Sequence, residues 1–230
     1  MAKPSSKYHL EALRQARAQR RRTNQIIAAV LGVLVVVAAA WYIISILPKQ
    51  AAGQSAVPTV TGKKYAAEPP MTIDQAKQYF ATVKLAKGGE FVIQLYPDKA
   101  PRTVNSFVFL ARDGFYNGVT FHRVLEGFMA QTGDQTGTGA GSPGYEFPNE
   151  ANDLAFDKAG VVAMANAGPG TNGSQFFIMF GPGTLSENDY TIFGQVTSGM
   201  DVVNGITRRD PQTNPTFTGD AILSVTISEK

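Results

Sequence analysis

The feature that most constrains the fold of this chain is an uninterrupted apolar run from Ile26 to Leu47. The run has 22 residues and no charge, and Ser45 is its only clearly polar side chain. As an α-helix rising 1.5 Å per residue it would be about 33 Å long, enough for the roughly 30 Å hydrocarbon layer of a bilayer. Trp41 and Tyr42, near its far end, are typical of a membrane interface. We therefore predict a transmembrane helix over residues 26–47.

Two alternatives compete with a permanent anchor. A buried core helix would rarely run this long without a polar face. A cleavable signal peptide is the stronger rival, because Ala38-Ala39-Ala40 looks like a small-residue cleavage site. However, the 25 residues before the run are long for the start of a signal peptide, and the run continues to Leu47. The sequence favours the anchor and leaves its cleavage open.

The positive charge of the chain is concentrated at its N-terminus. Residues 1–25 contain seven Lys or Arg and one acid, which leaves fourteen of the 21 basic residues and seventeen of the 18 acidic residues for the rest. The sequence pI of 9.1 therefore reflects the tail and not the main domain. Nucleic-acid binding normally needs a clustered basic face, so we predict no nucleic-acid partner.

The same asymmetry predicts the orientation in the membrane. Arginines crowd residues 14–22 immediately before the apolar run, whereas Lys49 is the only basic residue in 48–55 after it. By the positive-inside rule the basic tail, residues 1–25, is cytoplasmic and the C-terminal part lies outside the cytoplasm. We expect a single-pass protein of the cell membrane.

The rest of the chain divides into a linker and one domain. Residues 48–70 are rich in Ala, Gly, Pro and small polar residues and have no apolar period, which indicates a linker. Residues 71–230 continue without another such break and are predicted to fold as one domain. The chain has no cysteine and only two histidines, so disulfides and thiolate chemistry are excluded and a histidine metal site is disfavoured. We expect no metal or other cofactor, and a monomer.

Short apolar runs punctuated by Gly, Pro and Asn predict a mainly β domain. The pattern predicts a hairpin of two strands joined by Gly88-Gly89, six further short strands and two helices. The predicted strands are 80–85, 90–96, 120–124, 128–132, 161–166, 176–180, 191–196 and 222–228, and the helices are 101–114 and 200–206. Regularly spaced short strands are typical of a closed barrel or a sandwich.

Two segments carry the candidate chemistry. The first, residues 121–134, reads FHRVLEGFMAQTGD, in which Arg123 is flanked by apolar residues and so requires a partner or a ligand. If residues 128–132 are a strand, Met129 and Gln131 share one face while Phe128 and Ala130 share the other. The second, residues 161–179, places a loop rich in Gly, Asn and Pro between two apolar strands, and such a loop suits an extended peptide.

Together, FHRV..GFM.Q.GD and MANAGP.TNGSQFFI closely resemble the cyclophilin family of peptidyl-prolyl cis-trans isomerases, over residues 80–230. The resemblance implies a closed eight-stranded antiparallel β-barrel capped by two α-helices, here preceded by a single transmembrane helix. It also implies isomerisation of X-Pro bonds in proline-containing polypeptides, with Arg123 as the catalytic residue that hydrogen-bonds the prolyl nitrogen. The remaining site residues that it implies bind the substrate: His122, Phe128, Met129, Gln131, Ala165, Asn166, Ala167, Gln175, Phe177, Leu185 and Tyr190.

Departures from the family pattern refine this expectation. Thr184 stands where the family often has tryptophan, and Tyr190 stands where it often has histidine. The tyrosine resembles bacterial members, so we expect a bacterial-like cyclophilin. The residue types suit the reaction because peptide rotation faces a barrier of about 18–20 kcal/mol and requires no covalent step.

Two other functions stay open. The domain could be a non-catalytic prolyl-peptide binding or chaperone module that has kept the fold. Alternatively, the protein could be an assembly factor that acts mainly through residues 1–25 and the membrane helix.

Overall fold

The computed structural model describes residues 56–230. The predicted cytoplasmic tail (1–25), the predicted membrane helix (26–47) and the first part of the predicted linker (48–55) lie outside the described residues. Within residues 56–230, no helix combines the length and the apolar character needed to cross a membrane.

Eight strands and two α-helices form the described domain. In chain order they are β1 (Tyr79–Leu85), β2 (Glu90–Leu95), α1 (Pro101–Arg112), β3 (Arg123–Leu125), β4 (Met129–Thr132), β5 (Val161–Met164), β6 (Phe176–Met179), β7 (Ile192–Ser198), α2 (Met200–Asn204) and β8 (Ile222–Glu229). All eight predicted strands and both predicted helices are present. A short 3₁₀ helix, Pro211–Thr213, was not predicted.

The strands form one antiparallel sheet in the order β3-β4-β6-β5-β7-β2-β1-β8. The predicted hairpin is confirmed: β1 pairs with β2, and Gly88 and Gly89 turn the chain with φ of 97° and 88°. Such angles suit residues without a Cβ. β1 also shows the alternation expected of a sheet with one buried face, because Tyr79, Ala81, Val83 and Leu85 are buried.

The closed barrel predicted from the sequence is realised only in part. No ladder joins the end strands β3 and β8; instead the chain just before β3 meets the start of β8 in a single bridge between Thr120 and Ala221. Phe121 N donates to Asp220 O at 2.9 Å, beside that bridge. The predicted strand 120–124 is therefore wrong in its bounds, because its first residues bond to the β8 edge and only Arg123–Leu125 pairs with β4.

Helix α1 packs against the inner face of the sheet. Pro101 begins the helix, and its buried side includes Val104, Phe107 and Val108. The Phe107 ring lies 5.4 Å from the rings of both Phe176 and Phe193, which are wholly buried. These three rings belong to the main core, which lies between α1 and the sheet.

Residues 58–70, which fall within the predicted linker, contact the domain. The Tyr65 ring packs 5.0 Å from Phe109, and Tyr65 Oη donates to Asp113 Oδ2 at 2.7 Å. Arg102 Nε donates to Glu68 Oε1 at 2.6 Å, so the contacts continue along α1. We call residues 58–70 the strap. Packed residues thus extend back beyond residue 71, the predicted start of the domain, to the strap.

Candidate active site

The outer face of four neighbouring strands carries the predicted site residues. Arg123 on β3 lies directly opposite Gln131 on β4, Gln131 lies opposite Phe177 on β6, and Phe177 lies opposite Ala163 on β5. Directly paired residues in a sheet present their side chains to the same face. The register therefore brings a cation, an amide and an aromatic ring into one row across the sheet.

This row borders a cavity of about 200 Å³. It is lined by Arg123, Phe128, Met129, Gln131, Ala165, Asn166, Phe177, Leu185 and Tyr190. Nine of the twelve residues singled out by the sequence thus line one cavity. Arg123 is the only charged residue of this lining, which contains no histidine, cysteine or carboxylate.

An apolar cluster separate from the main core supports the cavity. Phe177, at its floor, meets the edge of Tyr190 at 5.5 Å and stacks on Phe156 at 6.0 Å with an interplanar angle of 15°. Met129 and Ile192 belong to the same buried cluster. Aromatic pairs in these geometries resist displacement and fix the shape of the wall. Sequence reasoning missed Phe156, because it lies in a short apolar stretch, Leu154-Ala155-Phe156, outside every predicted strand and helix.

Phe128 lines the cavity from a turn and not from the predicted strand. It precedes β4 in the turn that follows β3, so it does not alternate with the strand residues. It packs against the Met129 and Phe177 cluster, whereas Ala130 faces the main core. The predicted pairing of Phe128 with Ala130 on one face is therefore wrong, and that of Met129 with Gln131 is confirmed.

The Arg123 guanidinium lies at the rim of the cavity. Nη1 donates to Gln131 Oε1 at 3.4 Å, and the guanidinium carbon stands 6.0 Å from the centre of the Phe128 ring. In the described part of the chain, no carboxylate forms an ion pair with Arg123. Nη1 also donates to Met129 Sδ at 4.0 Å. A half-buried cation with two long hydrogen bonds, both from the same nitrogen, has donors left for a ligand.

Amide side chains link Arg123 to a neighbouring loop. Gln131 Nε2 donates to Gln175 Oε1 at 3.0 Å. Gln175 Nε2 in turn donates to the carbonyl oxygens of Gly139 and Gly141, each at 2.9 Å. The orientation of Gln131, and with it the acceptor that Arg123 uses, is therefore fixed by a chain of hydrogen bonds that ends on the backbone.

A second cavity of about 180 Å³ adjoins the first, and Gln131, Ala165 and Asn166 line both. Ala167 and Gln175, also predicted as substrate-binding residues, line only this second cavity, and Glu146 is its one charged residue. The two cavities form a groove along the sheet. An extended peptide could occupy both, with an apolar ring beside Phe177 and neighbouring residues over the second cavity.

Asn166 holds the loop between β5 and β6. Its Nδ2 donates to Asp189 O at 2.8 Å, and its Oδ1 accepts from Gly168 N at 3.2 Å. Ala165 N donates to Gln175 O at 2.9 Å, which keeps the start and end of this loop together. The backbone at the shared edge of the two cavities is thereby fixed before any peptide binds.

His122 is the exception among the predicted site residues. It is 2% exposed, lines neither cavity, and has no hydrogen-bond partner for either ring nitrogen within residues 56–230. Adjacent residues of an extended chain point to opposite sides, so an outward Arg123 directs His122 inward. His122 was predicted to bind substrate, but the structure places it in a buried position outside both cavities. Burial lowers the pKa of His122, and the nearby Asp134 carboxylate offsets this only partly.

Asp134 shapes the loop below the second cavity. Its carboxylate accepts hydrogen bonds from Thr136 N at 2.7 Å and from Gly139 N at 2.6 Å. Burial raises the pKa of Asp134, but hydrogen bonds from Thr136, Gly139 and Gly141 outweigh it and leave the pKa below its ordinary value. Gly141 has no room for a Cβ, which would lie 1.7 Å from Asp134 Oδ1.

The described residues offer no group of three or more His, Cys, Asp or Glu side chains arranged to hold a metal ion. The expectation that no cofactor is needed stays a prediction.

Comparison with known proteins identifies the family. The family model described as cyclophilin type peptidyl-prolyl cis-trans isomerase matches residues 80–227. The match covers more than half of the chain, with the groove inside it, so the protein belongs to this family.

Individual relatives agree with this assignment. The chain is 44% identical over 156 residues to peptidyl-prolyl cis-trans isomerase-like 1 of Mus musculus, covering 65% of this chain and 92% of the mouse protein. It is also 44% identical over 145 residues to the mouse peptidylprolyl isomerase domain and WD repeat-containing protein 1. This second match covers 60% of this chain but only 22% of the length of that relative.

A solved structure from Cryptosporidium parvum shows the same fold. It is a cyclophilin type peptidyl-prolyl cis-trans isomerase in the presence of the dipeptide Ala-Pro, with a TM-score of 0.57 and 28% identity. The similarity covers 66% of this chain and 99% of that one. These relatives are eukaryotic, as are those from cattle and Aspergillus oryzae. They give no support to the expectation of a bacterial-like member.

Proposed function

We propose that this protein accelerates cis-trans rotation about X-Pro bonds in polypeptides, without covalent chemistry. The observation that carries the proposal is the position of Arg123, the single charged group at the rim of a cavity on the outer face of the sheet whose walls include Phe128 and Phe177. The cavity suits a prolyl ring. The guanidinium at its rim is within reach of the peptide bond that precedes this ring.

The chemistry follows from the nature of the amide bond. Resonance gives the C–N bond partial double-bond character, and rotation requires that conjugation to be lost. In the rotated state the prolyl nitrogen carries a localised lone pair that can accept a hydrogen bond. A donor held at that nitrogen stabilises the rotated state more than the planar ground state, and only such a difference accelerates a reaction.

Each wall of the groove has a part in this proposal. Phe128, Met129, Phe177 and Leu185 hold the prolyl ring, while Gln131 orients the guanidinium. Asn166 and the backbone around Ala165 hold the peptide on the side of the second cavity. With the ring and the flanking backbone held, the carbonyl group before proline is the part that turns.

The relatives add support of a different kind. The Cryptosporidium structure was determined in the presence of Ala-Pro, which is the smallest X-Pro unit, and the mouse relative is named an isomerase. Exchange spectroscopy by NMR on an Ala-Pro peptide, with and without the full chain in detergent, tests the proposal. We expect much faster cis-trans exchange with the protein; peptide binding without faster exchange would instead identify a prolyl-peptide binding or chaperone module.

We further propose that residues 26–47 anchor the protein in the cell membrane, with residues 1–25 in the cytoplasm and the isomerase domain outside. The apolar run and the arginines before it support this placement. A reporter fused after Lys230 should be active only outside the cytoplasm. Loss of residues 1–40 from the mature protein would show that the run is a signal peptide, and light scattering of the detergent-solubilised chain tests whether it is a monomer.

A further inference from the structure

The strap meets the loop that walls the second cavity. Gly139, Ala140, Gly141, Ser142 and Glu146 of this loop, residues 139–146, line the second cavity. On its other side the loop contacts strap residues 64 and 65. A segment that precedes the family match at residue 80 therefore contacts the wall of the groove.

Four carbonyl groups of the loop accept hydrogen bonds, two of them from the groove and two from the strap. Gln175, in the groove, donates to the carbonyl oxygens of Gly139 and Gly141. The strap holds the next two carbonyl groups: Lys64 Nζ donates to Ser142 O, and Tyr65 N donates to Pro143 O at 2.8 Å. The loop is thus clamped between the substrate groove and the strap.

The close fit of the strap on the loop requires glycine at position 144. Gly144 has a φ of 101°, and a Cβ there would lie 2.5 Å from Tyr65 O. The Tyr65 ring also lies 6.3 Å from that of Tyr145, which is buried. Pro143 in turn faces Gly173, where a Cβ would lie 3.0 Å from Pro143 Cδ. The strap therefore presses on residues that pack directly against the β5–β6 loop.

We infer that Lys64 and Tyr65 are positioning residues for peptide binding, because they hold the 139–146 loop at the second cavity. The inference rests on the proposed function and concerns the part of a peptide that lies beyond the prolyl ring. The proline cavity does not contact the strap, so a peptide confined to that cavity is bound equally well with or without the strap contacts. A longer peptide gains affinity from the ordered loop.

The strap provides a matched control. Lys63 and Lys64 are adjacent, but Lys63 Nζ donates to Asp113 Oδ2 at 2.7 Å and Asp113 O at 2.8 Å, at the end of α1, and does not contact the loop. Lys63→Met removes a strap contact without freeing the loop, whereas Lys64→Met removes a loop contact. Lys64→Arg keeps a donor and should restore wild-type behaviour.

The experiment compares a tetrapeptide centred on Ala-Pro with an octapeptide that extends it on both sides, using the full chain in detergent. Lys64→Met removes the donor to Ser142 O, and Tyr65→Ala removes the packing of the Tyr65 ring on Tyr145 but keeps the Tyr65 N–H. For the two changes combined, we expect the KM of the octapeptide to rise about three- to tenfold. The kcat for both peptides and the KM of the tetrapeptide should stay within about twofold of wild type, which is smaller than the loss of one typical hydrogen bond. Lys63→Met should leave all four values unchanged.

Equal effects on both peptides, or the same effect from Lys63→Met, would overturn the inference. If the double variant unfolds, as judged by its melting temperature, Lys64→Met alone decides the matter, because this side chain is exposed. A wild-type chain without isomerase activity would refute the proposed function. In that case the ratio of the two peptides' Kd values, measured by titration, still tests the strap.

Discussion

Arg123 and Gln131 lie directly opposite each other on β3 and β4, with Nη1 of the arginine 3.4 Å from Oε1 of the glutamine. The other end of the same amide donates to Gln175. Gln131 thus connects the cation of the proline cavity to the loop of the second cavity. Its two ends require different chemical groups, an acceptor toward Arg123 and a donor toward Gln175.

Gln131→Glu should lower kcat/KM by about tenfold or more, which corresponds to about 1.4 kcal/mol. The carboxylate would pair tightly with Arg123 and would also lose the hydrogen bond to Gln175. Gln94→Glu, the same change on β2 and outside both cavities, serves as the control. Wild-type kcat/KM for Gln131→Glu, measured by NMR exchange, would show that the orientation of Arg123 does not depend on this contact.

The apolar cluster below the cavity gives a prediction that separates stability from binding. Phe156→Leu and Phe91→Leu should each lower the free energy of unfolding by about 1–3 kcal/mol, because both rings are buried. Only Phe156 stacks on Phe177, so only its substitution should raise the KM of an Ala-Pro peptide. Urea denaturation and steady-state kinetics on the two variants check this; an unchanged KM for Phe156→Leu would remove Phe156 from the site.

Gly133 connects β4 to the loop shaped by Asp134. It has a φ of 91°, and a Cβ would lie 2.2 Å from Ser174 O and 2.8 Å from Gln175 Cα. Gly133→Ala should therefore displace Gln175 and lower kcat/KM as well as stability. Gly127 has a φ of 68°, but among residues 56–230 a Cβ there would meet no neighbouring group within 4 Å. Gly127→Ala should cost only the backbone strain of about 1–2 kcal/mol.

The two glycine variants are compared by urea denaturation and by kcat/KM. Both should be less stable than wild type, because both place alanine at a positive φ. A loss of kcat/KM in Gly133→Ala that is matched by Gly127→Ala would mean that backbone strain, and not the displaced glutamine, lowers the activity.

Buried His122 predicts a pH dependence of stability. Burial lowers its pKa in the folded protein below the ordinary 6.5, so below about pH 6.5 the unfolded chain binds a proton that the folded chain does not. The stabilising contribution is present above that pH and is lost as the pH falls through the folded pKa. The slope for one such group is at most about 1.4 kcal/mol per pH unit.

Urea denaturation at pH 7.5 and pH 5 measures this contribution. His122→Gln should lose less stability than wild type between the two pH values. The pKa of Asp134 lies below its ordinary value, so this carboxyl group does not titrate between pH 5 and pH 7.5. It therefore contributes equally to both proteins. Parallel pH profiles for the two proteins would indicate that His122 keeps its ordinary pKa when folded.

Local patterns predicted most of the fold and much of the site. Alternation in Tyr79–Leu85 and the glycines after it identify the first hairpin, because the period of a strand and the backbone of a tight turn are local properties. The family resemblance carried by the two motifs predicted the residues of the cavity, although Leu185 and Tyr190 lie outside both motifs. The bounds of β3 were wrong because the residues before it bond to β8, about 100 residues away in the chain.

Long-range packing explains what the sequence did not reveal. Phe156 acts through Phe177, and nothing near it in the sequence indicates that contact. The strap has the composition of a linker, but the side chains of Lys63, Lys64, Tyr65 and Glu68 and the backbone N–H of Tyr65 all contact the domain. His122 adjoins Arg123 in the motif, and only the direction of its side chain separates it from the groove.

The most direct test of Arg123 as the catalytic group measures activity and peptide affinity on one variant. For Arg123→Ala in the full chain we expect kcat/KM on an Ala-Pro peptide to fall about a hundredfold or more, as when a transition-state donor is removed. The Kd of the same peptide should change by less than about fivefold, because the apolar walls remain. Arg112→Ala, on the surface of α1, should match wild type in both. Wild-type kcat/KM for Arg123→Ala, with the protein folded, would contradict the account.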